Sequence, residues 1–330
     1  MKEARSSDYL LLILLFIVLT GFVLYPLFLT LAESFQSRTG FSFSEYARLF
    51  DLRTLTNLEG LLNSILLSIL TVIFSGLVGT GLAYLVSEFE FPLRGLLNRV
   101  AVLPIALPPI VGVVAFLFLY GESGILPRAL KEFLGLQKPP LYLEGFLAIL
   151  FVHTYSFYVY FYLFVSALLL RIDPLVIEAA VNLGSSRWRT LWKVILPLLA
   201  PALVGASLLT FMASMASFTA PFLFGGGKRF ITLEIYNAKL NGDLGLAATH
   251  SIVLVVISIL FLLFLRKYSS GRRYVQAAKG VSRKGIRMVS KFSRAFAATV
   301  AFAALLFILL PVAGIFLISF VSEGSWTWQP

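Results

Sequence analysis

Apolar residues fill seven long stretches of the chain, roughly 9–31, 61–87, 101–120, 146–170, 198–224, 247–265 and 295–321. Each is about 19 residues or longer. A helix rising about 1.5 Å per residue then crosses a hydrocarbon core of about 30 Å. None of the seven holds Lys, Arg, Asp or Glu. The pattern predicts an all-α, polytopic membrane protein: six core helices and a seventh. The first stretch is long and no small-residue cleavage site follows it, so it reads as an uncleaved helix and not as a signal peptide.

The polar segments between these stretches set the expected orientation. The N-terminal tail and the connections 88–100, 171–197 and 266–294 carry 18 of the 27 Lys and Arg residues. Basic residues favour the cytoplasmic side, which predicts a cytoplasmic N-terminus and outward connections at 32–60, 121–145 and 225–246. The outward segments are turn-rich, with a short amphipathic piece at 43–50, prolines at 127, 139 and 140, and a Gly225-Gly226-Gly227 break. The tract 266–294 has ten Lys/Arg and no acid. It reads as a cytosolic linker lying against anionic lipid.

Composition agrees. The chain is 59% hydrophobic and only 13% charged, with a mean hydropathy of +0.91. A net charge of +11 would suggest nucleic acid in a soluble protein. Here the sidedness of the charges accounts for it, and no nucleic-acid partner is expected. The absence of cysteine excludes disulfides, thiolate metal sites and cysteine nucleophiles. No metal-ligand cluster or cofactor motif is present. No Gly-rich phosphate loop ending in Lys-Ser/Thr occurs, so the chain is not expected to be an ATP-hydrolysing enzyme itself.

The connection 171–197 is too long and too amphipathic for a simple turn. Asp173 can cap a helix whose first turn accepts Pro174. Glu178, Ala179 and Ala180 continue that helix, and Gly184 ends it. Ser185 or Ser186 can cap a second helix through Arg187, Trp188, Leu191 and Trp192, with Pro197 marking re-entry into the membrane. Trp188 and Trp192, four residues apart, give an apolar anchor face.

This stretch resembles the EAA signature of ABC importer permeases: Glu-Ala-Ala, three residues, Gly, nine residues, Ile, one residue, Leu-Pro. Glu178-Ala179-Ala180 and Gly184 match, Val194 stands for Ile, and Leu196-Pro197 closes the motif. Leu103–Val111 and Thr219–Gly226 also resemble that family, and the resemblance covers roughly 60–265. With the hydropathy and charge pattern it gives an expected order of first helix and external loop (1–60), permease core (61–265), basic linker (266–294) and seventh helix (295–330). It implies a coupling element near Glu178, Ala179, Ala180, Gly184, Arg187 and Trp188. The implied partners are a separate dimer of ATPase subunits, an extracytoplasmic binding protein and a second permease half. Ferric-iron, thiamine, phosphonate and polyamine permeases resemble the chain more than sulfate or molybdate ones, because Ser217-Phe218-Thr219 replaces an acidic residue followed by Phe-Gly.

A weak repeat at an offset of 285 residues pairs Phe22, Leu24, Pro26, Ser34 and Phe35 with Phe307, Leu309, Pro311, Ser319 and Phe320. The expectation is that the seventh helix begins a second half of a longer fused protein. Within the fifth stretch, Ser207, Thr210, Ser214 and Ser217 share one face. They read equally as a polar translocation path or as close helix packing. His153 reads as a hydrogen-bonded intramembrane residue more readily than as a ligand or proton shuttle, His250 as interfacial, and Gly76, Gly79 and Gly81 as packing glycines. An ion-coupled carrier is the rival class. It usually needs ionisable residues at membrane depth, and His153 alone qualifies.

Overall fold

The computed structural model describes residues 6–37, 40–51, 55–270 and 291–320. Most of the basic tract (271–290) and the terminal residues 321–330 lie outside the described residues. Seven helical segments are long and apolar enough to cross a membrane: Leu10–Glu33, Leu58–Glu88, Pro109–Phe133, Gly145–Leu169, Trp188–Met215, Leu244–Lys267 and Arg294–Leu317. We call them the first to seventh spans. The strands among the described residues form one short hairpin, Gln36–Ser37 with Gly40–Phe41. The all-α expectation therefore holds.

Three boundaries differ from the hydropathy reading, each for a backbone reason. The third span starts at Pro109, not near residue 101, because Leu107 and Pro108 are extended (ψ 131° and 137°). Residues before proline are pushed out of the helical region, and Pro108 and Pro109 offer no N–H to continue the helix Leu103–Ala106. The fifth span stops at Met215, and a separate helix, Thr219–Phe224, follows a break at 216–218. Its cytoplasm-predicted end shows the third difference. The helix Arg187–Thr190 runs through a π-helical turn, Leu191–Ile195, straight into Leu196–Met215. Pro197 sits in the first turn of that last segment, where it costs little.

The chain forms two compact units. One comprises residues 64–228 and 260–330. Its core joins Leu82 and Ala83 of the second span, Val159 and Val165 of the fourth, Leu199 of the fifth and Ala301 of the seventh. Glycines set the closest crossing. A Cβ on Gly79 would collide with the Tyr158 carbonyl and the Phe161 Cβ, and one on Gly76 would press on the Phe161 ring. Gly81 has no neighbour within 4 Å, so the packing expectation holds for two of the three glycines.

Three buried tyrosines of the fourth span tie other elements to it. Tyr158 donates to the Ala101 carbonyl (2.7 Å), Tyr162 to Asn98 Oδ1 (2.7 Å) and Tyr155 to the Ile308 carbonyl (3.1 Å). The last bond lands beside Pro311, which is inside the seventh span and cannot supply the N–H that the Phe307 carbonyl would accept. Phe307 packs edge-on against Phe151 and Tyr155. The seventh span is thus an integral wall of this unit.

The other unit comprises residues 1–63 and 229–259. Within the chain the first span buries none of its membrane-crossing window. Below its end, Thr249 donates to the Ser34 carbonyl (3.3 Å) and Asn63 to the Arg229 carbonyl (3.0 Å). Arg48 lies 3.6 Å from Glu45 and 3.4 Å from Asp243. His250 corrects its interfacial reading. It is buried, its Nδ1 donates to the Leu246 carbonyl (2.8 Å), and its Nε2 has no partner among the described residues.

Candidate functional site: a capped elbow and a cavity at the helix breaks

Two features stand out at opposite ends of the fifth span. The first is the elbow at 173–190. Asp173 Oδ1 accepts from the Leu175 N–H (2.9 Å) and opens the helix Pro174–Asn182. That helix ends in a Schellman turn. The Ser185 N–H bonds the Ala180 carbonyl (3.0 Å) and the Gly184 N–H bonds the Val181 carbonyl (2.9 Å). Gly184 holds φ at +80°, a left-handed conformation that disfavours side chains. Ser186 is the second cap, with Oγ accepting from the Arg189 N–H (3.3 Å).

The elbow shows an apolar surface. Leu183 is 88% exposed and Trp188 68% exposed, and the Trp188 and Trp192 rings meet edge to face at 5.5 Å. Glu178 and Ala179 are exposed and Ala180 is half-buried, while Ile177 anchors the helix in the core. The side chain of Arg187 lies outside the described residues. An apolar surface flanked by small residues and fixed by three caps suits close docking of another protein.

The second feature is a cavity of about 440 Å³ at the far end of the fifth span. Both helix breaks line it: Leu107 and Pro108 before the third span, Ser217 and Phe218 after the fifth. His153, 2% exposed, stands in its wall. His153 Nδ1 is 3.1 Å from Ser214 Oγ, and Nε2 is 2.9 Å from Ser217 Oγ. Ser68 donates to Ser214 (3.1 Å), which lies 3.4 Å from Thr71 Oγ1. If Ser214 gives its proton to Thr71, Nδ1 must be the protonated nitrogen and Ser217 donates to Nε2; the other tautomer reverses both roles.

The four hydroxyls read as one face therefore separate. Ser214 is committed to bonds with the second and fourth spans. Thr210 is buried with its hydroxyl unpartnered among the described residues, and Ser207 is half-buried. Ser217 lines the cavity. The partners Ser68 and Thr71 escaped the sequence reading. Their signal was the run Ser64, Ser68, Thr71, Ser75, which repeats at helical spacing in the second span and is buried throughout. Replacing His153 with Phe keeps the ring but removes its hydrogen bonds to Ser214 and Ser217. It should lower unfolding stability by about 1–2 kcal/mol. Adding Ser217→Ala should cost little more, as a double-mutant cycle by denaturant titration would show.

These features define a multi-span, all-helical membrane protein with broken helices around a cavity and a capped, exposed elbow between two spans. Residues 76–274 match the family described as "Binding-protein-dependent transport system inner membrane component", and the chain belongs to that family. It is 27% identical over 266 residues to the "Probable ABC transporter permease protein y4fN" of Sinorhizobium fredii, covering 80% of this chain and 46% of that protein. It is 27% identical over 289 residues to the "Ferric transport system permease protein FbpB" of Actinobacillus pleuropneumoniae, covering 86% and 42%. The chain thus spans about half the length of these relatives. Permeases named for spermidine/putrescine, sulfate and molybdenum also match. In fold it is similar to a chain of a bacterial ABC transporter involved in the import of the acidic polysaccharide alginate, with TM-score 0.64, 18% identity and coverage of 80% and 96%.

Proposed function

We propose that this chain is the membrane permease component of an ATP-driven, binding-protein-dependent importer, and that the elbow at 173–190 couples it to a separate ATPase dimer. The observation that carries this reading is the elbow itself. Its bend is fixed by Asp173, Gly184 and Ser186, while Leu183 and Trp188 stay exposed. Glu178, Ala179, Ala180, Gly184, Arg187 and Trp188 form the coupling element. The N-terminus and the elbow lie on the cytoplasmic side, in keeping with the basic residues of those segments. An external binding protein delivers cargo to the opposite face, and a second permease half, fused or separate, completes the path.

In the cycle, ATP-driven closure of the ATPase pair moves the elbow. Because that helix continues into the fifth span, the movement reaches the break at 216–218 and the His153 contact there. Ser217, with Ser207, Thr210 and Ser214 behind it, belongs to the translocation path. Ferric iron is the leading cargo, supported by the FbpB relative; thiamine, phosphonate, polyamine and oxyanion cargoes are the alternatives.

The test is isolation of the tagged chain from native membranes in mild detergent, followed by assay for a bound ATPase. Ala179 is exposed, so Ala179→Trp leaves the fold intact while filling the docking face. It should cut recovery of the ATPase at least several-fold without changing the elution profile of the chain. Full recovery of the ATPase with the variant would remove the coupling role.

A further inference from the structure

The connection after the first span builds an aromatic knob that the transport cycle does not use. Phe35 lies two residues beyond Glu33, where the first span ends. The hairpin then turns the chain straight back, pairing Gln36 with Phe41 and Ser37 with Gly40. The Ser42 N–H bonds the Phe35 carbonyl at 2.8 Å. Phe41 and Phe43 therefore return beside Phe35, next to the end of the first span. The Phe35 ring lies 5.2 Å from each of Phe41, Phe43 and Tyr46, and Phe41 lies 5.4 Å from Phe43.

The short helix Ser44–Leu49 extends the same surface. Phe43, Tyr46, Ala47 and Phe50 fall at helical spacing on one face. Glu45 and Arg48 lie on the other, toward Asp243. Phe41 is 75%, Phe43 60% and Phe50 52% exposed, so the apolar face is uncovered among the described residues. The knob is held rigidly at its depth. Tyr46 Oη lies 2.8 Å from Ser34 Oγ, and Ser34 Oγ donates to the Leu31 carbonyl inside the first span.

Tyr and Trp concentrate at the membrane–water boundary, and amphipathic helices with Phe, Trp or Leu on their apolar face lie flat within it. We propose that Phe35, Phe41, Phe43 and Phe50 form an interfacial anchor, buried at the headgroup–acyl boundary of the leaflet where the first span ends. Its occupant is phospholipid. The lipid contact already begins along the exposed first span and continues without interruption into the knob. The knob fixes the depth and tilt of that helix, whose apolar window is not buried against the rest of the described residues. This inference needs only a membrane-spanning chain and holds for either orientation.

The chain has no cysteine, so single labels can be placed without background. Nitroxide labels at F41C, F43C, F50C and S44C, in the full chain reconstituted into phosphatidylcholine–phosphatidylglycerol bilayers, report depth through spectral saturation by oxygen and by a water-soluble nickel chelate. The expected result is a several-fold higher oxygen-to-nickel ratio at 41, 43 and 50 than at 44. Equal, nickel-accessible signals at all four sites would place the knob in water, as a docking surface for a soluble protein, and would overturn the proposal. Signals at 41, 43 and 50 shielded from both reagents would also overturn it, by placing a protein over the knob. The readout involves neither ATP nor cargo, so loss of the transport reading would leave it standing.

Discussion

Gly184→Pro is expected to abolish ATPase association and uptake while leaving the membrane core folded. Proline fixes φ near −65°, whereas position 184 sits at +80°. It also removes the N–H that bonds the Val181 carbonyl. Together these cost about 3 kcal/mol or more for the docked bend, which is a loss of about two powers of ten in the competent population. Nothing lies within 4 Å of a Cβ built at Gly184, so the cost is conformational and not steric. A graded series follows: Asn mild, Ala at about 1–2 kcal/mol, Pro severe. ATPase recovery measured across Gly, Asn, Ala and Pro should fall in that order. Equal losses for Ala and Pro would point instead to a contact made by the glycine surface.

The largest effect on stability is expected at Gly79. A leucine there must fit where even a Cβ meets the Tyr158 carbonyl and the Phe161 Cβ, and backbone cannot rotate aside. Overpacking of this kind costs about 3 kcal/mol or more. The second and fourth spans would be forced apart, which also strains the Ser68–Ser214–His153 chain. Thermal denaturation in detergent should show a large drop for Gly79→Leu and almost none for Gly81→Leu, two residues away, because Gly81 faces open space. Comparable losses at both positions would refute the crossing geometry.

Much of this architecture can be read from hydropathy alone. Continuous apolar runs without charge leave no alternative to membrane helices, because every backbone group in lipid must be bonded within its own segment. Asp173, Gly184 and Ser186 announce the elbow because capping chemistry is local. The breaks were less legible. Residues 101–108 and 216–218 are as apolar as their neighbours, so hydropathy passes over them; only the Pro108-Pro109 pair marks the first, and nothing in composition marks the second. His250 misled because a histidine near a helix end looks interfacial, while here it is buried and bonded to the Leu246 carbonyl of its own helix. The polar network was half visible: the Ser/Thr face of the fifth span was found, but its pairing with Ser68, Thr71 and His153 is a tertiary fact.

One structural detail changes how force can travel. The second helix of the elbow and the fifth span form a single rod, Trp188–Met215, 28 residues and therefore about 42 Å long. Pro201 lies inside it and leaves the Pro197 carbonyl without its helix bond, which makes this the point where the rod bends most easily. A swing of about 10° around such a point would displace the far tip by several ångströms, comparable to the reach of a hydrogen bond. Under the proposed coupling, a displacement of that size is enough to part Ser217 from the imidazole, with the π-helical turn at Leu191–Ile195 lying between the push and the break.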